Sequence, residues 1–195
     1  MNPTDFTTVA GTRMEHLRHA IGQACDGWAI ELGVYTGATL MALALMAPAR
    51  QIVGFDSFLG LPCEWKKNHG VTSPKGSLAT PYKPVSKNNV SVVEVWFHES
   101  LPKWLAANEG PIGFLHVDCD VYESASVALK LLDRRIVPGT VIVFDELYNW
   151  DHPDLYSEWA NHEWRALSEW LATGREAIPL ARSKGHSAAS IKVMK

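Results

Sequence analysis

Apolar positions along this chain change period several times, and the changes mark its elements. Met14, Leu17, Ile21 and Ala24 fall at helical spacing, which predicts an opening helix over 13–25 that stops at Asp26-Gly27. A short apolar run at 28–32 predicts a strand, 33–37 a glycine turn, and 38–47 a helix that ends before Pro48. A second strand is expected at 51–55, with Asp56 at its end. Strand, glycine turn, helix, strand and acidic end is the order that opens a nucleotide-binding βαβ unit.

Residues 57–89 break the pattern. They hold Pro62, Pro74, Pro81 and Pro84 among glycines and lysines, with no sustained period. So long a stretch is unusual inside a compact domain and reads as a lid or substrate-binding insertion; a surface excursion is the alternative. Periodicity resumes with a strand at 91–95, a short helix at 101–108, a strand at 113–117 and a helix at 122–134. After the turn Val137-Pro138-Gly139 comes a strand at 140–144, then a mainly helical stretch at 153–173. Strands at 177–181 and 188–193 flank a polar turn suited to an antiparallel hairpin. This alternation predicts one α/β domain over 1–195, a three-layer sandwich around a seven-stranded, mostly parallel sheet with one antiparallel strand from the C-terminal hairpin.

Composition narrows the class. With 195 residues, 47% of them hydrophobic, the chain can bury the core of one globular domain. A net charge of -3 with scattered Lys and Arg gives no footprint for nucleic acid. Met1 to Gly11 lacks the charged start and apolar core of a signal peptide, and no apolar run approaches the roughly 20 residues of a membrane span. Cys25, Cys63 and Cys119 are odd in number and lack metal-site spacing, so a reducing, cytoplasmic setting without membrane contact is expected. Trp150, Trp159, Trp164 and Trp170 crowd one C-terminal stretch, where they serve core packing or a homodimer interface.

Two acidic pairs suggest chemistry. Asp118-Cys119-Asp120 follows the 113–117 run and Asp145-Glu146 follows the 140–144 run, so both emerge at the carboxyl edge of a parallel sheet, where ligands bind. Four carboxylates in one cleft repel each other and call for a cation, a shared proton or a positively charged ligand. A divalent metal and a sulfonium cofactor both answer; capping of the following helices is the plainer use. In Glu31-Leu32-Gly33-Val34-Tyr35-Thr36-Gly37, the place of the middle glycine of a dinucleotide fingerprint is taken by Tyr35, which disfavours a diphosphate. Asp56 is placed to hold two ribose hydroxyls, or else to form the turn before Ser57. Glu31, a carboxylate inside a buried strand, needs a partner, which a ligand amino group would supply.

E-L-G-V-Y-T-G, G-F-D-S-F-L-G-L-P, W-F-H-E-S-L-P, H-V-D-C-D-V-Y-E-S and V-I-V-F-D-E, in that order, resemble the class I S-adenosylmethionine-dependent methyltransferases. Among them the chain is most similar to the macrocin O-methyltransferase family, which acts on sugar hydroxyls in natural products. The resemblance implies a Rossmann-like fold, S-adenosyl-L-methionine as cofactor, Mg²⁺, and a small-molecule hydroxyl acceptor. It implies that Glu31, Gly33, Tyr35, Thr36 and Gly37 line the methionine part of the cofactor, that Asp56 and Ser57 hold the ribose, and that Trp96, Phe97 and Ser100 flank the adenine, with Asp118 also at the cofactor. It further implies Asp118, Asp145 and Glu146 as metal ligands and Asp120 as general base. Family members often carry two aspartates where this chain has Asp145-Glu146.

Other candidates have plainer readings. His116, inside an apolar strand, is expected to be a hydrogen-bonded core imidazole rather than a catalytic one. His162-Glu163 could meet the acceptor or metal, or form a helix-surface pair. Cys119 lacks an activating base and is expected to point into the sheet. The function expected is O-methyl transfer to a sugar or other polar natural product. A non-catalytic S-adenosylmethionine-binding module is the rival, and a nicotinamide oxidoreductase is disfavoured by Tyr35.

Overall fold

The computed structural model describes all residues except Val85, Lys87 and Asn88, so that part of the expected 57–89 insertion lies outside the described residues. Helix α1 (Arg13–Gly22) leads into β1 (Trp28–Leu32), α2 (Ala38–Met46) and β2 (Ile52–Asp56). Then come the short strands β3 (Trp65–Asn68) and β4 (Val71–Ser73), followed by β5 (Val90–Glu94), α3 (Phe97–Ala107), β6 (Ile112–Val117), α4 (Tyr122–Leu132) and β7 (Ile136–Phe144). Helix α5 (Glu163–Ala172) and the hairpin β8 (Ala177–Arg182) and β9 (Ala189–Val193) complete the chain.

The main sheet has seven strands in the order β5-β2-β1-β6-β7-β9-β8. Strand β9 runs antiparallel to both its neighbours and the rest are parallel, as the hairpin at the end of an alternating chain predicts. Apolar side chains on both sheet faces make two cores. One holds Ile30, Leu32, Phe55, Leu115 and Phe144 under α3, α4 and α5; the other holds Ala29, Leu40, Leu43, Phe114 and Val143 under α1 and α2. Both faces are covered, which is why the strands read as nearly unbroken apolar runs.

Three expectations are corrected. The expected loop contains the hairpin β3–β4, whose polar, lysine-bearing strands show no apolar alternation. The Val137-Pro138-Gly139 turn is instead part of β7: Gly139 takes φ +93° and the ladder to β6 shifts there, so the strand absorbs the irregularity as a bulge. The helical stretch at 153–173 is broken into two single 3-10 turns and α5. The break falls at His162, whose Nε2 lies 2.8 Å from the Lys66 carbonyl oxygen on β3, and this tie goes with a non-helical backbone there (φ -117°, ψ -120°) in place of a continued helix.

The tryptophans pack within the chain. Trp150, Trp159 and Trp164 form edge-to-face contacts with Phe6, Tyr148 and each other, and Trp170 is buried with Nε1 donating to Asp133. Among the described residues, no helix is long and apolar enough to cross a membrane.

Candidate active site

The carboxyl ends of β1, β2, β6 and β7 open on one cavity of about 670 Å³, within the range that encloses cofactor-sized ligands. It lies where the strand order reverses between β1 and β6, the switch point at which adjacent crossovers leave on opposite faces.

The glycine turn makes one end. Gly33 takes φ +94°, and a Cβ there would stand 1.8 Å from the Asp118 carbonyl oxygen, so only glycine lets the β1 turn pass against the end of β6. Tyr35 and Thr36 line the cavity, while Gly37 caps α2 in a left-handed conformation behind it. Asp56 ends β2 and lines the cavity too. Its Oδ2 accepts the N–H groups of Val34 (2.8 Å) and Tyr35 (2.7 Å), and its Oδ1 that of Phe58 (2.8 Å). The turn-forming role expected as the alternative is therefore present, and one carboxylate fixes both turns. Ser57, Trp96 and Phe97 line the wall; Ser100 does not, being buried with its hydroxyl donating to the Val95 and Trp96 carbonyls.

Backbone strain gathers here. Among the described residues the non-glycine residues with positive φ are Tyr35, Phe58, Leu78, Val95 and Asp120. Three line the cavity and the other two adjoin Ser57 and Trp96, which do. Such conformations persist where surrounding structure holds them, commonly at ligand sites.

Acids make the other end, and they are not alone. Asp118, Asp120, Asp145 and Glu146 all reach the cavity, as does Arg13 from the first turn of α1. Arg13 Nε donates to Asp145 Oδ1 at 2.7 Å and its Nη2 to Asp118 Oδ2 at 2.8 Å. Behind them, His116 Nδ1 lies 2.9 Å from Glu31 Oε1 and its Nε2 3.5 Å from Asp145 Oδ1. Glu31 is fully buried beneath the acids and does not line the cavity, so its partner is the imidazole of the neighbouring strand rather than open ligand space. His116 is the hydrogen-bonded core imidazole expected of it. His186, on the β8–β9 turn, places Nε2 3.8 Å from Asp145 Oδ2.

These contacts divide the carboxyls. Burial alone would raise Asp145, but hydrogen bonds and charge from His116 and Arg13 outweigh it and hold Asp145 well below the usual carboxylate range. Burial would lower His116; its bonds to Asp145 and Glu31, with the charge on Asp118, instead push it up to about 10. Burial and the charge on Asp145 push Asp118 up, although 22% of its side chain reaches solvent and moderates that push. Asp120 is raised to about 7, first by burial and then by Asp145, with Lys67 and Arg13 opposing. Burial and the surrounding acids also raise Glu146 and Glu163; Glu163, on α5, accepts the Glu146 N–H at 3.0 Å. Cys119 is buried and its thiol held far up by burial, as expected of an inert residue.

A divalent ion coordinated by Asp118, Asp145 and Glu146 does not fit this arrangement. One oxygen of Asp118 and one of Asp145 are engaged by the same guanidinium, and a second cation there would meet it directly. Ligand-capable atoms do gather as Glu31, His116 and Asp118 and as Asp145, Glu146 and His186, which leaves Asp118 and Asp145 in different groups. Sequence reading missed Arg13, His186 and the burial of Glu163. Only Arg13 left a signal, a cation in the first turn of a helix, where the dipole disfavours it.

Residues 30–147 match the model of a family described as a methyltransferase domain, and the chain belongs to that family. It is 28% identical over 171 residues to 8-demethyl-8-(2,3-dimethoxy-alpha-L-rhamnosyl)-tetracenomycin-C 4'-O-methyltransferase of Streptomyces olivaceus, covering 73% of this chain. The matched region spans 64% of that relative's length. Among solved structures, a calicheamicin methyltransferase superposes with a TM-score of 0.67 at 23% identity, over 92% of this chain and 76% of that one. MycE, a methyltransferase of the mycinamycin biosynthetic pathway solved in complex with Mg and SAH, superposes with a TM-score of 0.55 at 15% identity, over 92% of this chain and 48% of its own. These likenesses establish the Rossmann-like methyltransferase fold.

Proposed function

We propose that this chain is an S-adenosylmethionine-dependent O-methyltransferase acting on a hydroxyl of a small polar molecule, such as a sugar or other hydroxylated natural product. The observation that carries the reading is one cavity that joins the strained glycine turn and Asp56 to the acids after β6 and β7. Its volume suits an adenosyl ligand together with part of an acceptor, its acidic wall suits a sulfonium, and Tyr35 leaves no middle glycine for a diphosphate. The curated relative's name, a methyltransferase for a rhamnosyl group, supports a sugar hydroxyl as acceptor.

The cofactor supplies an electrophilic methyl group on a positively charged sulfur. In this reading Gly33, Tyr35, Thr36 and Asp118 surround its methionine part and Asp56 with Ser57 its ribose. Trp96 and Phe97 take the adenine face, while Gly37 and Ser100 brace the backbone of the two turns from behind and Glu31 holds His116 beneath the acids. Asp120 accepts the acceptor hydroxyl's proton: it faces the cavity and, raised to about 7, is poised near neutral pH for that task. The bound cofactor would supply the methyl group for that oxygen, and the residues around the cavity would hold the two reactants close and oriented. Leu61, Pro62, Lys75 and Leu78, all from the 57–89 segment, form the cover under which the acceptor would enter.

Mg²⁺ assistance is the finer part of the expectation, and MycE's complex with Mg lends it support. The arrangement around Arg13 does not accommodate such an ion, so no step here runs through one. Incubation with methyl-labelled S-adenosylmethionine and a panel of hydroxylated glycosides tests the reading. Label in an acceptor is expected, and label in none of them, with cofactor bound, would favour a binding module.

A further inference from the structure

We propose that Arg13 is a built-in cation of the acid centre, standing where a divalent ion would otherwise bridge the ends of β6 and β7, so that the chain works without a metal. The guanidinium makes a two-point bridge, one nitrogen to Asp118 and another to Asp145, which are presented by adjacent parallel strands. Its plane and spaced donors match two carboxylates at once, and it cannot lose its proton.

Position argues that the bridge holds Arg13 in place. Arg13 is the first residue of α1, where the helix dipole repels a cation. Thr12 and Glu15 already satisfy that helix start, with Glu15 accepting the Thr12 N–H at 2.8 Å and its hydroxyl at 2.9 Å. Nothing at the helix end needs the arginine, so the carboxylates account for its place. The site is also crowded with nitrogen donors. Asp145 Oδ1 meets both Arg13 and His116, and its Oδ2 faces His186. Mg²⁺ binds through oxygen in near-octahedral geometry and gives up its waters reluctantly. Displacing Arg13, a half-buried side chain, would break both of its ion pairs and set a second positive charge beside the incoming one.

The inference rests on the methyltransferase reading only for its consequence for turnover; metal binding is measured apart from it. Mn²⁺ is the probe, followed by its paramagnetic resonance signal as protein is added, with Arg13→Gln as the variant and circular dichroism to check its fold. Wild type is expected to leave the Mn²⁺ signal free up to about 1 mM, the weak end of protein sites for such ions. Arg13→Gln is expected to take up one ion per chain at least about tenfold more tightly, because Asp118 and Asp145 then lose the charge that bridged them. Wild-type binding at micromolar Mn²⁺ that Asp145→Asn abolishes would overturn the proposal, and so would a folded Arg13→Gln that gains nothing. If the variant does not fold, the wild-type titration decides alone. S-adenosylhomocysteine binding is followed by calorimetry on the wild type: its absence there, with the Mn²⁺ result as expected, would defeat the methyltransferase reading and leave the role of Arg13 standing.

Discussion

Nδ1 of His116 lies 2.9 Å from Oε1 of Glu31, with both side chains fully buried and paired in register on β6 and β1. A buried acid in a strand is costly unless it is matched, and here the match comes from the next strand. His116 therefore keeps its proton in the folded state, up to about 10. A group raised in this way adds stability that is fully present below the unfolded value near 6.5 and is lost as pH rises through about 10. Glu31→Gln removes one of the charges holding the proton. The His116 titration, followed by NMR, is expected to move down, and the alkaline loss of stability to become smaller and to be complete at lower pH.

Asp120 tests the chemistry. It holds φ +65°, which asparagine tolerates well, so Asp120→Asn is expected to keep the fold. Turnover is expected to fall by about 10²- to 10⁴-fold, the usual contribution of a positioned base. Affinity for S-adenosylhomocysteine is expected to stay nearly unchanged. Unaltered turnover in Asp120→Asn would remove Asp120 from the mechanism.

Gly33 and Gly185 separate close approach from backbone preference. Both have positive φ, but a Cβ at Gly33 meets Asp118 backbone at 1.8 Å whereas one at Gly185 meets nothing within 4 Å. Gly185→Ala is expected to cost about 1 kcal/mol, a left-handed penalty alone. Gly33→Ala is expected to cost more than about 3 kcal/mol, because β1 and β6 must part. Urea denaturation of the two variants measures the difference.

His16 sets an acid-side limit. It is fully buried, with Nε2 2.9 Å from Ser190 Oγ, and burial holds its imidazole down at about 4. Below about 6.5 the unfolded chain binds a proton that the folded one refuses, so this group's contribution falls as pH drops from about 6.5 to about 4. The whole contribution is about 3 kcal/mol at 1.4 kcal/mol per unit. The stability difference between wild type and His16→Gln, measured by denaturant titration at pH 7 and pH 5, is expected to shrink at the lower pH.

Much of this was legible because it is local. The β1 run from Trp28 to Leu32 and the acids after β6 and β7 follow from apolar blocks that end at charged residues. The hairpin β3–β4 was hidden because its strands are polar, and the helix break at His162 because it depends on a carbonyl 96 residues away. Arg13 was illegible for the same reason: its partners lie 105 and 132 residues along the chain, and no periodicity reports contacts that topology alone creates. Glu31 could be read as needing a partner, but not as having His116.

Calorimetric titration of the chain with S-adenosylhomocysteine, beside an identical titration with NAD, tests the central claim most directly. One S-adenosylhomocysteine per chain with a Kd of about 1–100 μM is predicted, or roughly 5–8 kcal/mol, and no heat from NAD. Binding of NAD without S-adenosylhomocysteine, or of neither at about 1 mM, where binding is worth only about 4 kcal/mol, would contradict it.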